Sequence, residues 1–461
     1  MKLSQHLLAI CCAVPILTAA AQAPPSSGLK AITLTSPKPT QCQDDPQESL
    51  RRIDDAIKAG NQTLVIELLE GLTPCQKPTS IEEVTAMLQE IVTSSPDSRI
   101  LQAAGRMING IFSGSIGELF DRAREQLEAA ENSHDNKNPD PPESVYPKSD
   151  SDAPYSNPEQ ALRSAIFIPE GFTYGKKNPV ILFPGTGSTG FTAYSGNLIP
   201  LLTNVDWADP VWVNVPRYLL DDAQSNAEYA AYAINYIAAM TGCNVTMIPW
   251  SQGNIDTQWA LKYWPSARSV TSSHVAISPD FKGTINGTES LRQHNGLLND
   301  PANLQQVWFS NFITAMRANG GDSAYVPTTT LYSSFYDEIV EPQAGTEASA
   351  YMLDARGVGV TNNEVQVVCK DQTAGGFYTH ESMMANPLTF ALAENAICNG
   401  REGRPSEIDL EDVCSTILTP GLDFEDFLKT ENSIIIAGLA MVIYMPKVAS
   451  APPIRDYATV N

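Results

Sequence analysis

From about residue 160 onward the chain alternates short apolar runs with helical stretches, and few architectures accommodate that alternation. Val180-Ile181-Leu182-Phe183, Val211-Trp212-Val213, Val245 to Ile248, Val275-Ala276-Ile277, Thr329-Thr330-Leu331-Tyr332 and Val365-Gln366-Val367-Val368 read as strands. Between most of them lie helical stretches such as Asn226 to Met240 and Asp256 to Tyr263. Unbroken apolar runs suit strands buried on both faces, and strands alternating with helices imply a mostly parallel central sheet flanked by helices, the α/β class. In such sheets ligands sit at the carboxyl ends of the strands, so chemistry is sought in the loops that follow them.

The region before residue 160 reads differently. Residues 1–23 carry a lysine near the start, an apolar core from Leu7 to Ala20 and Ala21-Gln22-Ala23 before two prolines, the pattern of a secretory signal peptide. Residues 24–131 form an N-terminal helical extension. From Asp45 to about Glu131 apolar positions recur three and four apart, as in Leu50, Ile53 and Ile57, with Gly71, Pro74, Pro78 and Pro96 cutting the pattern into helices. Residues 132–159 turn to Asp, Pro, Ser, Asn and Lys and read as a linker or disordered tether, leaving 160–461 as the α/β body.

Export sets the meaning of the cysteines. Cys42, Cys75, Cys243, Cys369, Cys398 and Cys414 remain after the signal peptide and can form three disulfides, in any of 15 connectivities. Cys42 with Cys75 is the local pairing, worth roughly 3 to 4 kcal/mol by loop entropy. Asn61, Asn244 and Asn286 head glycosylation sequons. With 29 basic against 52 acidic residues the formal charge is −23, which disfavours nucleic acid and anionic membrane surfaces as partners. The apolar run Ser433 to Pro446 falls short of the roughly 20 residues that span a bilayer, so it reads as a buried helix, or one beside a lipid-facing mouth, without stable membrane insertion.

One strand end carries nucleophile chemistry. Val245 to Ile248 runs through Pro249-Trp250 into Ser251-Gln252-Gly253 and then a helical pattern, and a sharp strand-to-helix turn lifts the residue at the turn clear of the sheet. A serine needs a histidine base oriented by a carboxylate. His6 lies in the signal peptide, His134 in the linker, His274 before a strand and His294 in a polar loop, so the order Ser, acid, His selects His380. Asp337, just past the Thr329–Tyr332 strand, is the acid, with Glu338 as the fallback. Oxyanion donors come from the N–H of Gln252 and from the loop Phe183-Pro184-Gly185-Thr186-Gly187-Ser188-Thr189-Gly190, where Thr186 adds a hydroxyl to its N–H.

That loop also spells Gly185-x-Gly187-x-x-Gly190, the spacing of a dinucleotide-binding turn. The acid such a site needs at the end of the second strand is missing: Asn214-Val215-Pro216-Arg217 stands there, and Asp206 and Asp209 precede the strand. No His, Cys and carboxylate set has metal-ligand spacing, so no metal is expected.

These residues resemble the fungal lipase B family over about Lys177 to Ala458. Pro184-Gly185-Thr186-Gly187 is similar to its oxyanion loop, Trp250-Ser251-Gln252-Gly253 to its nucleophile turn, and Ser278-Pro279-Asp280-Phe281-Lys282-Gly283-Thr284 to the segment after its next strand. Val326-Pro327-Thr328-Thr329, Leu331-Tyr332-Ser333 and Asp337-Glu338-Ile339-Val340 extend the match. The resemblance implies an α/β-hydrolase fold, no cofactor, and hydrolysis or transfer of acyl esters, including triacylglycerols at a lipid–water interface, by a secreted monomer. It implies the triad Ser251, Asp337 and His380, the oxyanion donors Thr186 and Gln252, Asp280 and Gln306 on the acyl side of the pocket, and Trp250 limiting its alcohol side. It also implies a Cys369–Cys414 disulfide, leaving Cys243 and Cys398 as a third pair. The sequence departs from the family at Pro249, where the family has threonine, and in the helical region before residue 150. The same residues would also serve a serine amidase or peptidase, or a catalytically silent hydrolase-like binding protein.

Overall fold

The computed structural model describes residues 46–459, apart from 60, 73, 76, 96–98, 112–127, 286–298 and 335. The expected signal peptide, Cys42, and the Asn286 and His294 calls lie outside the described residues. The chain divides into two compact units, one drawn from residues 1–79 and 93–123 and the other from 80–92 and 124–461. In the first, α1 (Pro46–Lys58), α2 (Gln62–Glu70) and the later helix Arg99–Ile108 bear out the helical periodicity; Asn61 caps α2 by accepting from Leu64 N.

The second unit is built on a seven-stranded sheet. Its strands are β1 (Ile166–Phe167), β2 (Asn178–Phe183), β3 (Ala208–Val213), β4 (Val245–Pro249), β5 (Thr271–Ile277), β6 (Thr328–Tyr332) and β7 (Val360–Glu364). Their order is β1-β3-β2-β4-β5-β6-β7, with only β1 antiparallel to its neighbour. Side chains along a strand alternate, and both faces are covered. Ile181, Phe183, Val211, Val213 and Met247 join one core with helix α3 (Ala223–Thr241), and Val180, Leu182, Trp212, Ile248 and Leu331 join the other. This is why the strands read as continuous apolar runs. The connection from β2 leads to β3 on one side and the chain then crosses to β4 on the other, so the crevice at the carboxyl ends of β2 and β4 is the topological switch point where open α/β sheets hold ligands.

Two expectations differ from the structure. Val365–Val368 is a short helix, and the strand precedes it as Val360–Glu364, half-exposed at the sheet edge. An edge strand needs no apolar cover on both faces, so its Val-Thr-Asn-Asn-Glu sequence carries no strand-like signal. The stretch 132–159, read as a tether, lies on the sheet unit. Asn214 Nδ2 donates to Ser133 O at 2.9 Å, Tyr236 OH donates to Pro139 O at 2.8 Å, and Ser266 Oγ donates to Asp152 at 2.6 Å. Val145 is fully buried, and Tyr146 and Tyr155 stack with ring centroids 4.8 Å apart beside Tyr232 and Trp264. Few apolar side chains suffice because side chains of the body satisfy the backbone carbonyls of this stretch.

Candidate active site

β4 ends in the turn that carries Ser251, and helix α4 (Gly253–Tyr263) starts directly beyond it. Ser251 has φ +54°, a left-handed backbone that a serine adopts only when its surroundings impose it. Ser251 N donates to Ile277 O at 3.0 Å and Trp250 N to Phe183 O at 3.1 Å, so the turn is tied to both neighbouring strands. At Pro249 the β4–β5 ladder lapses, with pairs from Val245 to Met247 and again at the Trp250–Ile277 bridge, as a residue without an N–H requires, while the β2 side keeps the Phe183–Pro249 pair.

Two glycines let the loop after β2 and the Ser251 turn touch. A Cβ on Gly185 would meet Ser251 Cβ at 2.8 Å and the Trp250 ring at 2.9 Å, and one on Gly253 would meet Pro184 O at 2.4 Å. The dinucleotide-like spacing is therefore a packing requirement: Gly190 abuts Trp212 and Val213, and Gly187, at φ +74°, abuts Ala437 of the helix Phe424–Ile443.

Across the crevice, Asp337 follows β6 and its carboxylate binds His380 Nδ1 at 2.9 and 3.0 Å, while Oδ1 also accepts from Ile339 N and Val340 N. Glu338, the fallback acid, instead accepts from His380 N at 3.1 Å. His380 O accepts from Trp250 Nε1 at 3.2 Å and Ser278 Oγ at 3.0 Å, and the Trp250 ring lies 5.2 Å from the imidazole. Ser251, Asp337, His380 and Trp250 are all buried. Burial alone would lower the proton affinity of His380, but the Asp337 charge and hydrogen bond, with Glu338 and Glu381, outweigh it and hold its pKa above the ordinary imidazole value.

The oxyanion candidates form one network. Thr186 Oγ1 donates to Gln252 Oε1 at 2.7 Å and approaches Gln306 Oε1 at 3.1 Å; Gln306 Nε2 donates to Gln252 Oε1 at 3.0 Å. Gln252 Nε2 is turned away, donating to Leu219 O at 3.0 Å and Asp256 Oδ2 at 3.2 Å. Asp280 is fully buried with both carboxyl oxygens unpartnered among the described residues. Burial pushes its pKa up to about 7, with the nearby Asp337 charge adding and His380 opposing. The sequence reading missed Asn254, His274 and Asp256, which surround the turn from behind. Only the position of Asn254 three residues after the serine could have signalled them.

The cysteines correct one expectation. Cys369 and Cys414 are joined and Cys75 is disulfide-bonded, but Cys243 and Cys398 are free. Cys243 Sγ lies against the carbonyls of Gly175 and Thr241, whereas Cys398 is exposed on the last turn of the helix Pro387–Asn399.

No family model matches the chain. It is 30% identical over 319 residues to lipase B of Pseudozyma antarctica, spanning 67% of this chain and 87% of the relative. It is also similar to the crystal structure of Aspergillus fumigatus lipase B, with a TM-score of 0.77 and 41% identity, over 89% of this chain and 96% of that one.

Proposed function

This chain belongs to the lipase B family and is a carboxylic ester hydrolase of the α/β-hydrolase fold, and from that premise we propose how its own residues perform the reaction. Ser251 is the nucleophile, His380 takes its proton, and Asp337 holds the imidazole with Nδ1–H toward the carboxylate, leaving Nε2 as the base. The N–H of Gln252, with the N–H and hydroxyl of Thr186, stabilises the tetrahedral oxyanion. The resulting acyl-enzyme is released to water or to an alcohol. Thr186 Oγ1 spends its proton on Gln252 or Gln306 in the free protein, so the hydroxyl must rotate as the oxyanion forms.

The substrates are acyl esters such as triacylglycerols, with Asp280 and Gln306 on the acyl side and Trp250 on the alcohol side. The enzyme is secreted, acts as a monomer, and meets its substrate at a lipid–water interface. No helix of the described residues is long and apolar enough to cross a membrane. What supports this reading is the buried Asp337–His380 pair, together with a serine at the end of β4 held at positive φ against a glycine-lined loop.

The test is Ser251→Ala in the full chain. Turnover of a short p-nitrophenyl ester should fall by about 10⁴-fold or more, and stoichiometric capture by an organophosphonate should vanish. Retention of either sinks the assignment.

A further inference from the structure

His274 and Asn254 take no part in the proposed reaction, yet both are fully buried directly behind the nucleophile turn. Asn254 Nδ2 donates to Ser251 O at 2.9 Å and to Ile277 O at 3.0 Å. Both amide hydrogens thus go to carbonyls, which fixes the orientation of the amide: the flipped form would set Oδ1 against two acceptors. Oδ1 therefore faces His274 Nε2, 3.1 Å away, and since Oδ1 can only accept, Nε2 must carry the proton. His274 Nδ1 has no hydrogen-bond partner among the described residues, which suits a bare ring nitrogen in the neutral tautomer. Burial agrees, pushing the His274 pKa down to about 3.

The bond to Ser251 O matters because that carbonyl belongs to the same peptide unit as the N–H of Gln252. A planar peptide cannot turn its carbonyl without turning its N–H. Whatever pins Ser251 O also aims the oxyanion donor, and a hydrogen bond accepted at the carbonyl polarises the N–H at the other end of the unit. Asn254 N donates to the same oxygen at 2.9 Å, so two donors converge there.

We infer that His274 and Asn254 are positioning residues for the oxyanion hole, a relay in which His274 Nε2–H orients the Asn254 amide and that amide orients the Ser251–Gln252 peptide. The inference rests on the reading of Ser251 and Gln252 given above. It differs in kind from a packing role: a histidine that merely filled space would be replaced by an apolar ring at little cost to the chemical step.

The experiment uses the full chain with His274→Phe, His274→Gln, Asn254→Asp and Ser251→Ala. Competent sites are counted by the end point of phosphonate titration, so that every rate is expressed per folded, reactive serine. Per competent site, His274→Phe should lower kcat for p-nitrophenyl butyrate about 10-fold to 100-fold, with KM within about twofold, the signature of a contact that matters in the transition state. Inhibition by a trifluoromethyl ketone, whose adduct places an oxyanion in the same hole, should weaken by a similar factor. His274→Gln, whose amide supplies a donor near Nε2, should recover most of the loss, and Asn254→Asp, which keeps the shape but replaces donors with acceptors, should be at least as impaired as His274→Phe. The proposal is overturned if His274→Phe or Asn254→Asp titrates fully and turns over like the parent, or if His274→Gln is no better than His274→Phe. Failure of the underlying assignment looks different: the parent would then take up no phosphonate, or Ser251→Ala would still turn over.

Discussion

His380 has to be neutral to accept a proton, and its surroundings oppose that. Burial favours the neutral ring, but contact with Asp337 and the charges of Glu338 and Glu381 favour the imidazolium, and the second group wins. The sign for catalysis follows. The base works when deprotonated, so kcat/KM rises with pH and the midpoint of that rise lies above the value of about 6.5 for an ordinary histidine. Asp280, pushed up by burial to about 7, ionises in the same region, and attraction between its carboxylate and the imidazolium favours protonated His380. Asp280→Asn should therefore lower the midpoint of this limb. Asp337→Asn should move the His380 midpoint down and lower kcat/KM by about 10⁴-fold, because the imidazole then loses the charge that holds its working tautomer. A pH–rate profile on a soluble ester checks all three, and a parent midpoint at or below 6.5 would contradict the direction of the shift.

The strand–turn–helix unit shows how the sequence conveys structure unevenly. The paired core faces were legible because Val180 to Phe183 is apolar at every position and Val245 to Ile248 at all but Thr246, which suits strands buried on both sides. The turn residue was legible because a strand end, a serine and a following helix coincide at Ser251. The network joining Thr186, Gln252 and Gln306 was not, since those residues meet across separations of 54 to 120 positions and side chains such as these form no periodic pattern. The edge strand Val360–Glu364 was missed because half-exposed polar residues do not read as a strand, and 132–159 was misread because its anchors are isolated residues such as Val145 and Tyr155. At this scale Gly253 gives a direct test. A methyl there would sit 2.4 Å from Pro184 O and 2.9 Å from Phe183 O, both backbone atoms, so Gly253→Ala must push the oxyanion loop and the start of α4 apart. Its expected effect is a loss of kcat of about 10²-fold or more, comparable with removing one oxyanion donor, in protein that remains folded by circular dichroism. Parent-like turnover would show that the close approach of the two segments is dispensable.

Across the whole sheet unit, the base is carried by a segment held at its two ends. The Cys369–Cys414 disulfide spans 45 residues, and that span includes His380 and the helix Pro387–Asn399, whose Leu388, Leu392, Ala396 and Ile397 sit in the core on one face of the sheet. Closing a loop of that length restricts the unfolded chain by about 4 kcal/mol. Both cysteines are fully buried, so replacing them with alanine adds a cavity cost to the lost cross-link. The double variant Cys369→Ala/Cys414→Ala should therefore melt roughly 10 °C below the parent by differential scanning calorimetry, a size set by the entropy of unfolding of a domain this large. Reductant should shift the parent toward the variant. Activity below the transition should persist with the same acidic limb, because the contacts that set the proton affinity of His380, from Asp337, Glu338 and Glu381, are local to the site and do not pass through either sulfur. A double variant that melts with the parent would mean that the rest of the core already confines this segment in the unfolded as well as the folded chain. One that keeps its melting temperature but loses its acidic limb would mean that the cross-link acts on the geometry of His380 and not on chain entropy.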